Sequence, residues 1–211
     1  MAAGEGWHTP ARERHLQPPR GEGMAEVIGD FSELMGTVTN GLTLTFSASS
    51  IPLKQRWRNN GLSADFLADY VTTFFPKDEA DPASLARQQD IRSAVAYIAN
   101  ELLENAMKYS EESLAVPTTI QLLLVPDAIL FSEVNRTSGE RGEAFLGFVR
   151  ALAASDPSEM YLRQLERAGE DGGSGLGLLT MLNDYGAKLA WRFDTLPDGS
   201  SQITTQVRLD I

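Results

Sequence analysis

The pattern of apolar and polar positions predicts helices and paired strands over most of the chain. After Asp81-Pro82, a typical helix start, apolar residues recur at three- and four-residue steps, as on one face of a long helix. In 42–46, leucine and phenylalanine alternate with threonine, which is typical of a strand. The first half of the chain is predicted to contain a short mixed segment over 26–36, a candidate helix, then a strand over 42–46 and helices over 51–58, 63–75 and 82–109. The second half is predicted to contain strands over 118–125 and 128–134, a polar loop over 135–142 and a helical region over 143–168 with a break near 155–157. A helix over 178–185 and strands over 188–193 and 202–211 follow.

Turn residues join four of these strands into two hairpins. Pro126-Asp127 separates the first pair, and the run Pro197 to Ser200 separates the last pair. Runs of helices between paired strands predict an α+β fold, with a mixed, mostly antiparallel sheet that helices cover on one face.

Composition bounds the size and the compartment of the protein. The chain has 211 residues, 42% of them hydrophobic, which suits one domain or a domain and a half. No apolar run is long enough for a transmembrane segment, and residues 1–23 lack the apolar stretch of a signal peptide. We therefore expect a cytoplasmic protein with a disordered tail over 1–23. The absence of cysteine excludes disulfides, thiolate zinc sites and thiol catalysis.

The charge balance argues against nucleic acid as a partner. The formal net charge is −11, and the basic cluster over 54–58 is short and typical of a solvated helix face. An acidic chain of this kind is expected to bind other proteins, or to carry its charge for solubility.

Three polar residues near the end of the long helix share one face. Glu101, Asn105 and Lys108 stand at i, i+4 and i+7, so their side chains form one stripe. A carboxylate can accept a proton, an amide oxygen suits a hard cation, and an ammonium attracts phosphate. The stripe therefore predicts a site for a magnesium-bound polyphosphate.

A glycine-rich loop lies downstream and runs into an apolar helix. Residues 172–177 read Gly-Gly-Ser-Gly-Leu-Gly, and glycine lets backbone amides approach an anion at a helix N-terminus. The spacing differs from the Rossmann fingerprint, and no Gly-Lys-Ser/Thr follows as in a Walker A loop.

Together, these two segments resemble a known superfamily. ELLENAMKYS (101–110) is similar to the N-box, and GSGLGLLTMLNDYGAKLAW (173–191) to the second glycine box, of the GHKL ATP-binding superfamily. This superfamily has the Bergerat fold, an α/β sandwich found in histidine kinases, type II topoisomerases, Hsp90, MutL and anti-sigma-factor kinases. The resemblance covers residues 85–211 and implies ATP and Mg²⁺ as ligands.

The resemblance also implies roles for individual residues. Glu101 falls on the glutamate that orients or deprotonates the attacking hydroxyl, and Asn105 on the asparagine that binds magnesium. Lys108 falls on a lysine that approaches the phosphates, and Tyr109 on an aromatic residue beside the adenine or ribose. Further nucleotide contacts are expected from Gly173, Ser174, Gly175, Leu176, Gly177 and Thr180.

The chain departs from the family pattern at the first glycine box. Asn135 stands where an aspartate accepts the adenine amino hydrogen, and only Gly139 remains of the glycines. An asparagine oxygen still accepts this bond but carries no charge, so we expect weaker binding of the base.

A stand-alone kinase is the function that the resemblance implies. The only histidines, His8 and His15, lie in the tail, so histidine autophosphorylation is not expected. The pattern instead resembles anti-sigma-factor and SiaB-type serine/threonine kinases, which phosphorylate a small STAS-like partner in partner-switching signalling. On this reading, 24–80 docks a partner or forms a homodimer, and 81–211 is the ATP-binding core with a lid at about 139–171. Two alternatives stay open, namely a non-catalytic, nucleotide-gated switch that sequesters a partner and a plain α+β interaction domain.

Overall fold

The computed structural model describes residues 25–33, 40–46, 53–76, 78, 80–111, 114, 116–171 and 175–211. These residues form one sheet and five helices. The strands are β1 (Ala25–Ile28), β2 (Gly41–Phe46), β3 (Thr118–Val125), β4 (Ala128–Thr137), β5 (Lys188–Thr195) and β6 (Ser201–Asp210). The helices are α1 (Leu53–Thr72), α2 (Pro82–Tyr109), α3 (Gly139–Ala153), α4 (Pro157–Asp171) and α5 (Leu176–Asn183).

The sheet has six strands in the order β1-β5-β6-β4-β3-β2. The predicted α+β class is confirmed, and every pairing among the described strands is antiparallel. The expectation of a mixed sheet was therefore too broad. Strands β3–β4 and β5–β6 are the two predicted hairpins, and β4 pairs with β6 to join them at the centre of the sheet.

Helix α2 packs against β3 and β4 and supplies much of the core. It begins with Pro82, and the Asp81 side chain accepts a hydrogen bond of 3.0 Å from the backbone N–H of Ala83, so the cap and the proline fix its start. Ile98 and Leu102 on its inner face are at most 1% exposed, and α1 packs along the same helix. Truncating either side chain to alanine is expected to cost about 2–5 kcal/mol.

All five helices contribute side chains to one hydrophobic core, which lies on a single face of the sheet. That face presents alternate strand residues, such as Ile120, Phe131 and Val207, to the helices. On the outer face, the backbone N–H of Ser32 donates to Gln206 Oε1 at 2.8 Å, and Gln206 Nε2 donates to the Ser32 carbonyl at 2.9 Å. At Ser32, the chain leaving β1 therefore lies over β6 on the outer face.

The structure differs from the predicted elements in three places. Residues 51–58 and 63–75 were expected to form separate helices, but the chain from Leu53 to Thr72 is one helix. The segment predicted over 26–36 begins within strand β1, and β4 continues to Thr137 where a loop was expected. The predicted tail, 1–23, lies outside the described residues.

The predicted segments 24–80 and 81–211 share one sheet. Strand β1 pairs with β5, and β2 pairs with β3. A docking or dimerisation role for 24–80 stays a prediction. None of the helices in the described part of the chain combines the length and apolar character needed to cross a membrane.

Candidate functional site

A cavity of about 390 Å³ lies between the helical layer and the centre of the sheet. Helices α2, α3, α4 and α5 and strands β4 and β6 all contribute to its walls. The lining residues are Leu102, Asn105, Ala106, Tyr109, Glu133, Asn135, Thr137, Arg141, Ala144, Phe145, Phe148, Gln164, Gly175, Leu178 and Thr205. Its volume falls in the range of small-molecule sites in proteins.

One wall of the cavity is aromatic. The Phe145 ring lies 6.5 Å from the Tyr109 ring and 6.2 Å from the Phe148 ring, centroid to centroid, each with an interplanar angle of 16°. Rings held in nearly the same orientation offer faces for a planar aromatic ligand. This wall therefore suits a nucleobase better than a flexible polar chain.

The floor of the cavity is polar because the core-facing residues of strand β4 change from apolar to polar along the strand. Ile129 and Phe131 face the core, and the next residues on that face are Glu133, Asn135 and Thr137. The last three are buried, with relative exposures of 3%, 6% and 1%. A ligand in the cavity therefore meets polar side chains that are shielded from solvent.

The carboxyl group of Glu133 is the most unusual feature of this floor. Within the described part of the chain, Glu133 Oε1 and Thr137 Oγ1 have no hydrogen-bond partner. Burial raises the pKa of the Glu133 carboxyl well above its usual range, and no nearby charge offsets that effect. Burial therefore favours the neutral acid form of Glu133, which offers a free donor or acceptor to the cavity.

The N-box stripe is only partly in the cavity. Asn105 lines it, whereas Glu101, one turn earlier on α2, lies half-buried against the start of α5. Burial, and secondarily the neighbouring Glu104, raise the pKa of Glu101. A Cβ atom on Gly177 would overlap the Glu101 carboxylate, so the glycine leaves the space that this carboxylate occupies.

The start of α5 has the features of an anion site. Gly175 adopts a left-handed conformation with φ +94°, and a Cβ there would lie 2.7 Å from the Phe148 ring. As the N-cap, it makes no side-chain hydrogen bond to the first turn of α5. The first backbone amides of a helix have no acceptor within the helix and favour anions. The predicted phosphate contacts Gly173 and Ser174 lie outside the described residues.

Four predicted contact residues lie outside the cavity lining, namely Lys108, Leu176, Gly177 and Thr180. Lys108 is exposed, with Nζ 5.3 Å from the ring centroid of Tyr109, which does line the cavity. The Thr180 side chain hydrogen-bonds Tyr97, and Leu176 is half-buried. Their roles in nucleotide contact stay predictions.

The predicted lid region, 139–171, supplies a wall of the cavity. Phe145 and Phe148 come from α3, and Gln164 comes from α4. Closure of this region on a ligand stays a prediction.

The sequence interpretation missed Glu133, Thr137, Arg141 and Thr205. The sequence did contain a sign of Glu133, because in β4 it follows Ile129 and Phe131 at every second position and therefore points to the core. Arg141, near the start of α3, lines the cavity, and its guanidinium lies 3.7 Å from the Glu111 carboxylate.

The residues present fit a nucleotide with its metal ion. Among the described residues no group of three or more His, Asp or Glu side chains is placed to hold a metal. A magnesium ion held through Asn105 alone would therefore take its other ligands from phosphates and water, which is its usual behaviour in phosphoryl-transfer sites. The aromatic wall, the asparagine oxygen and the open α5 amides together match base, metal and phosphate.

Comparison with known proteins supports the fold. No family model matches the chain, and no curated protein matches it in sequence. A chain in the crystal structure of the SiaB–SiaC complex from Pseudomonas aeruginosa is similar, with a TM-score of 0.51 and 20% identity. The match covers 78% of this chain and 89% of that chain. At this level of identity the likeness shows a shared α+β sandwich fold.

Proposed function

We propose that this protein binds ATP with magnesium and transfers the γ-phosphoryl group to a serine or threonine of a small regulatory protein. The observation that supports this proposal most strongly is the contact between α2 and α5. Asn105, the proposed metal ligand, lines the cavity near this contact, and the Glu101 carboxylate lies against Gly177.

Each part of the site has one task in this reaction. The aromatic wall and Asn135 hold the base, Asn105 offers its amide oxygen to the metal, and the amides at the start of α5 hold phosphate oxygens. Magnesium, when bound, neutralises charge on the phosphates.

Glu101 is the proton acceptor in this proposal. The partner hydroxyl oxygen bonds to the γ-phosphorus, the bond from phosphorus to the ADP oxygen breaks, and Glu101 takes the hydroxyl proton. A base is most effective when its pKa lies near the working pH. Burial and Glu104 both raise the pKa of Glu101 in that direction.

The partner is proposed to be a small STAS-like protein in a partner-switching circuit. The fold likeness supports this choice, because the similar chain comes from a complex of SiaB with SiaC. The net charge of −11 also makes a basic or neutral protein surface a better partner than nucleic acid.

Calorimetric titration with ATP and ADP, with and without magnesium, tests the nucleotide site. Asn105→Ala is expected to weaken magnesium-dependent binding by about 10-fold or more, since it removes a charge-assisted contact. Asn100→Ala is the matched control, because Asn100 lies on the same helix and its Nδ2 donates to Glu104 at 2.7 Å, outside the cavity lining. If wild type binds neither nucleotide, the proposal fails.

A second candidate is a nucleotide-gated switch without catalysis. The observation in its favour is Asn135, which lines the cavity as an uncharged residue where the family has an aspartate. Incubation of γ-labelled ATP with a purified STAS-domain protein from the same organism separates the two. In a kinase, Glu101→Gln abolishes transfer of label and retains nucleotide binding. In a switch, wild type transfers no label. Nucleotide still changes the affinity for the partner, both in wild type and in Glu101→Gln.

A further inference from the structure

Glu133 is a buried polar group that none of the steps above uses. It lies in one row of side chains that crosses the sheet from edge to edge on the helix-covered face. In strand order this row is Leu44, Ile120, Glu133, Thr205, Trp191 and Ile28. An apolar side chain in the place of Glu133 would continue the core, so the carboxyl group costs stability unless a ligand uses it.

The position of the carboxyl group limits what it can contact. It lines the same cavity as the aromatic wall and is 3% exposed, and its Oε1 has no partner among the described residues. Arg141 and Tyr109 are the other titratable groups among the described residues that line this cavity, and neither contributes to the charge state of Glu133. The carboxyl group is therefore available to a ligand held against the aromatic wall of the cavity.

We propose that Glu133 reads the base of the bound nucleotide, and that its carboxylic acid donates one hydrogen bond to adenine N1 and accepts another from the adenine amino group. The inference rests on the proposed function and adds a specificity-determining residue to it. The carboxyl group lies two positions before Asn135 on the same face of β4, so the two side chains present adjacent polar groups to the base.

The protonation state of the carboxyl group decides the choice of base. A neutral carboxylic acid has one donor and one acceptor, which complement the acceptor N1 and the donor amino group of adenine. An ionised carboxylate only accepts, and it would favour guanine, which presents two donors at N1 and N2. Because burial favours the neutral form of Glu133, the cavity suits adenine.

Two substitutions separate hydrogen bonding from packing. Glu133→Gln keeps one donor and one acceptor in nearly the same shape, whereas Glu133→Met keeps the volume and removes both. The probes are ADP, 1-deaza-ADP, which lacks the N1 acceptor, and 7-deaza-ADP, which is altered on the opposite edge of the base. All are titrated with magnesium by calorimetry, and thermal unfolding confirms that each variant is folded.

The expected pattern is a specific coupling between residue 133 and N1. Wild type and Glu133→Gln are expected to bind 1-deaza-ADP about 5- to 10-fold more weakly than ADP, the value of one hydrogen bond. Glu133→Met is expected to bind ADP and 1-deaza-ADP equally, and both more weakly than wild type binds ADP. For 7-deaza-ADP, the ratio to ADP is expected to be the same in all three proteins.

Failure of the inference is distinguishable from failure of the proposed function. If wild type binds ADP and 1-deaza-ADP equally, Glu133 does not donate to N1 and the inference is wrong, although the nucleotide site stands. The same conclusion follows if the preference for ADP survives in Glu133→Met. If wild type binds no ADP, the proposed function fails and this inference fails with it.

Discussion

The stability of Glu133→Gln relative to wild type should increase with pH. In the folded protein burial raises the pKa of Glu133 well above its usual range, whereas an unfolded glutamate loses its proton near pH 4.3. Between these two pKa values the folded state binds one more proton than the unfolded state, so wild-type stability falls as pH rises. Glutamine does not titrate, and any difference in its packing is independent of pH.

The size of this pH effect follows from the titration of a single proton. Each pH unit between the unfolded and folded pKa values costs wild type about 1.4 kcal/mol relative to the variant. For a domain of this size, about 1 kcal/mol corresponds to about 2–4 °C in Tm, so the gap between the two melting curves widens by about 3–5 °C per pH unit. Below about pH 4 the gap is constant, because both states are then protonated.

Calorimetric melting at one-unit intervals from pH 4 to pH 8 measures this gap. The matched control is Glu166→Gln, since Glu166 is exposed on α4 and its Tm should follow wild type at every pH. Parallel profiles for wild type and Glu133→Gln would refute the reasoning, because they would show that the buried carboxyl group titrates as it does in the unfolded chain.

Three glycine substitutions probe the helices around the site. Gly177→Ala places a methyl group where the Glu101 carboxylate lies, so labelled phosphoryl transfer should fall by about 10-fold or more, and this loss should exceed any loss of titrated ADP affinity. Gly175→Ala forces alanine into φ +94° against Phe148 and should lower the free energy of unfolding in urea by about 1–3 kcal/mol. Gly147→Ala, within α3 and with nothing near its Cβ, should raise that free energy by about 0.5–1 kcal/mol, and a loss there would contradict the assigned helix.

The sequence predicted α2 well because its signals are local. Asp81 and Pro82 fix the start, the apolar stripe has a helical period, and the observed end at Tyr109 matches the predicted one. The end of β4 was missed for the opposite reason. Asn135 and Thr137 are polar, yet they pair with Ile203 and Ser201 in β6, a partner that local patterns do not reveal.

In the candidate site, too, residues close in sequence were predicted and residues brought together by strand pairing were missed. Asn105 and Glu101 are on one helix, so their spacing alone placed them on one stripe, and Asn105 does line the cavity. Glu133 and Thr205 become neighbours only when β4 pairs with β6. This pairing depends on the strand order of the whole sheet, so neither residue stood out as part of a site.

The two carboxyl groups of the proposed site impose opposite requirements on pH. Glu101 must be ionised to accept a proton, whereas Glu133 must be neutral to donate a hydrogen bond. Burial raises both pKa values, and Glu133, at 3% exposure, is more deeply buried than Glu101, which is half-buried. If both residues act as proposed, kcat/KM for phosphoryl transfer rises with pH as Glu101 ionises and falls at higher pH as Glu133 ionises. In Glu133→Gln the descending limb should disappear while the ascending limb remains. A variant profile with the same descending limb as wild type would assign that limb to another group.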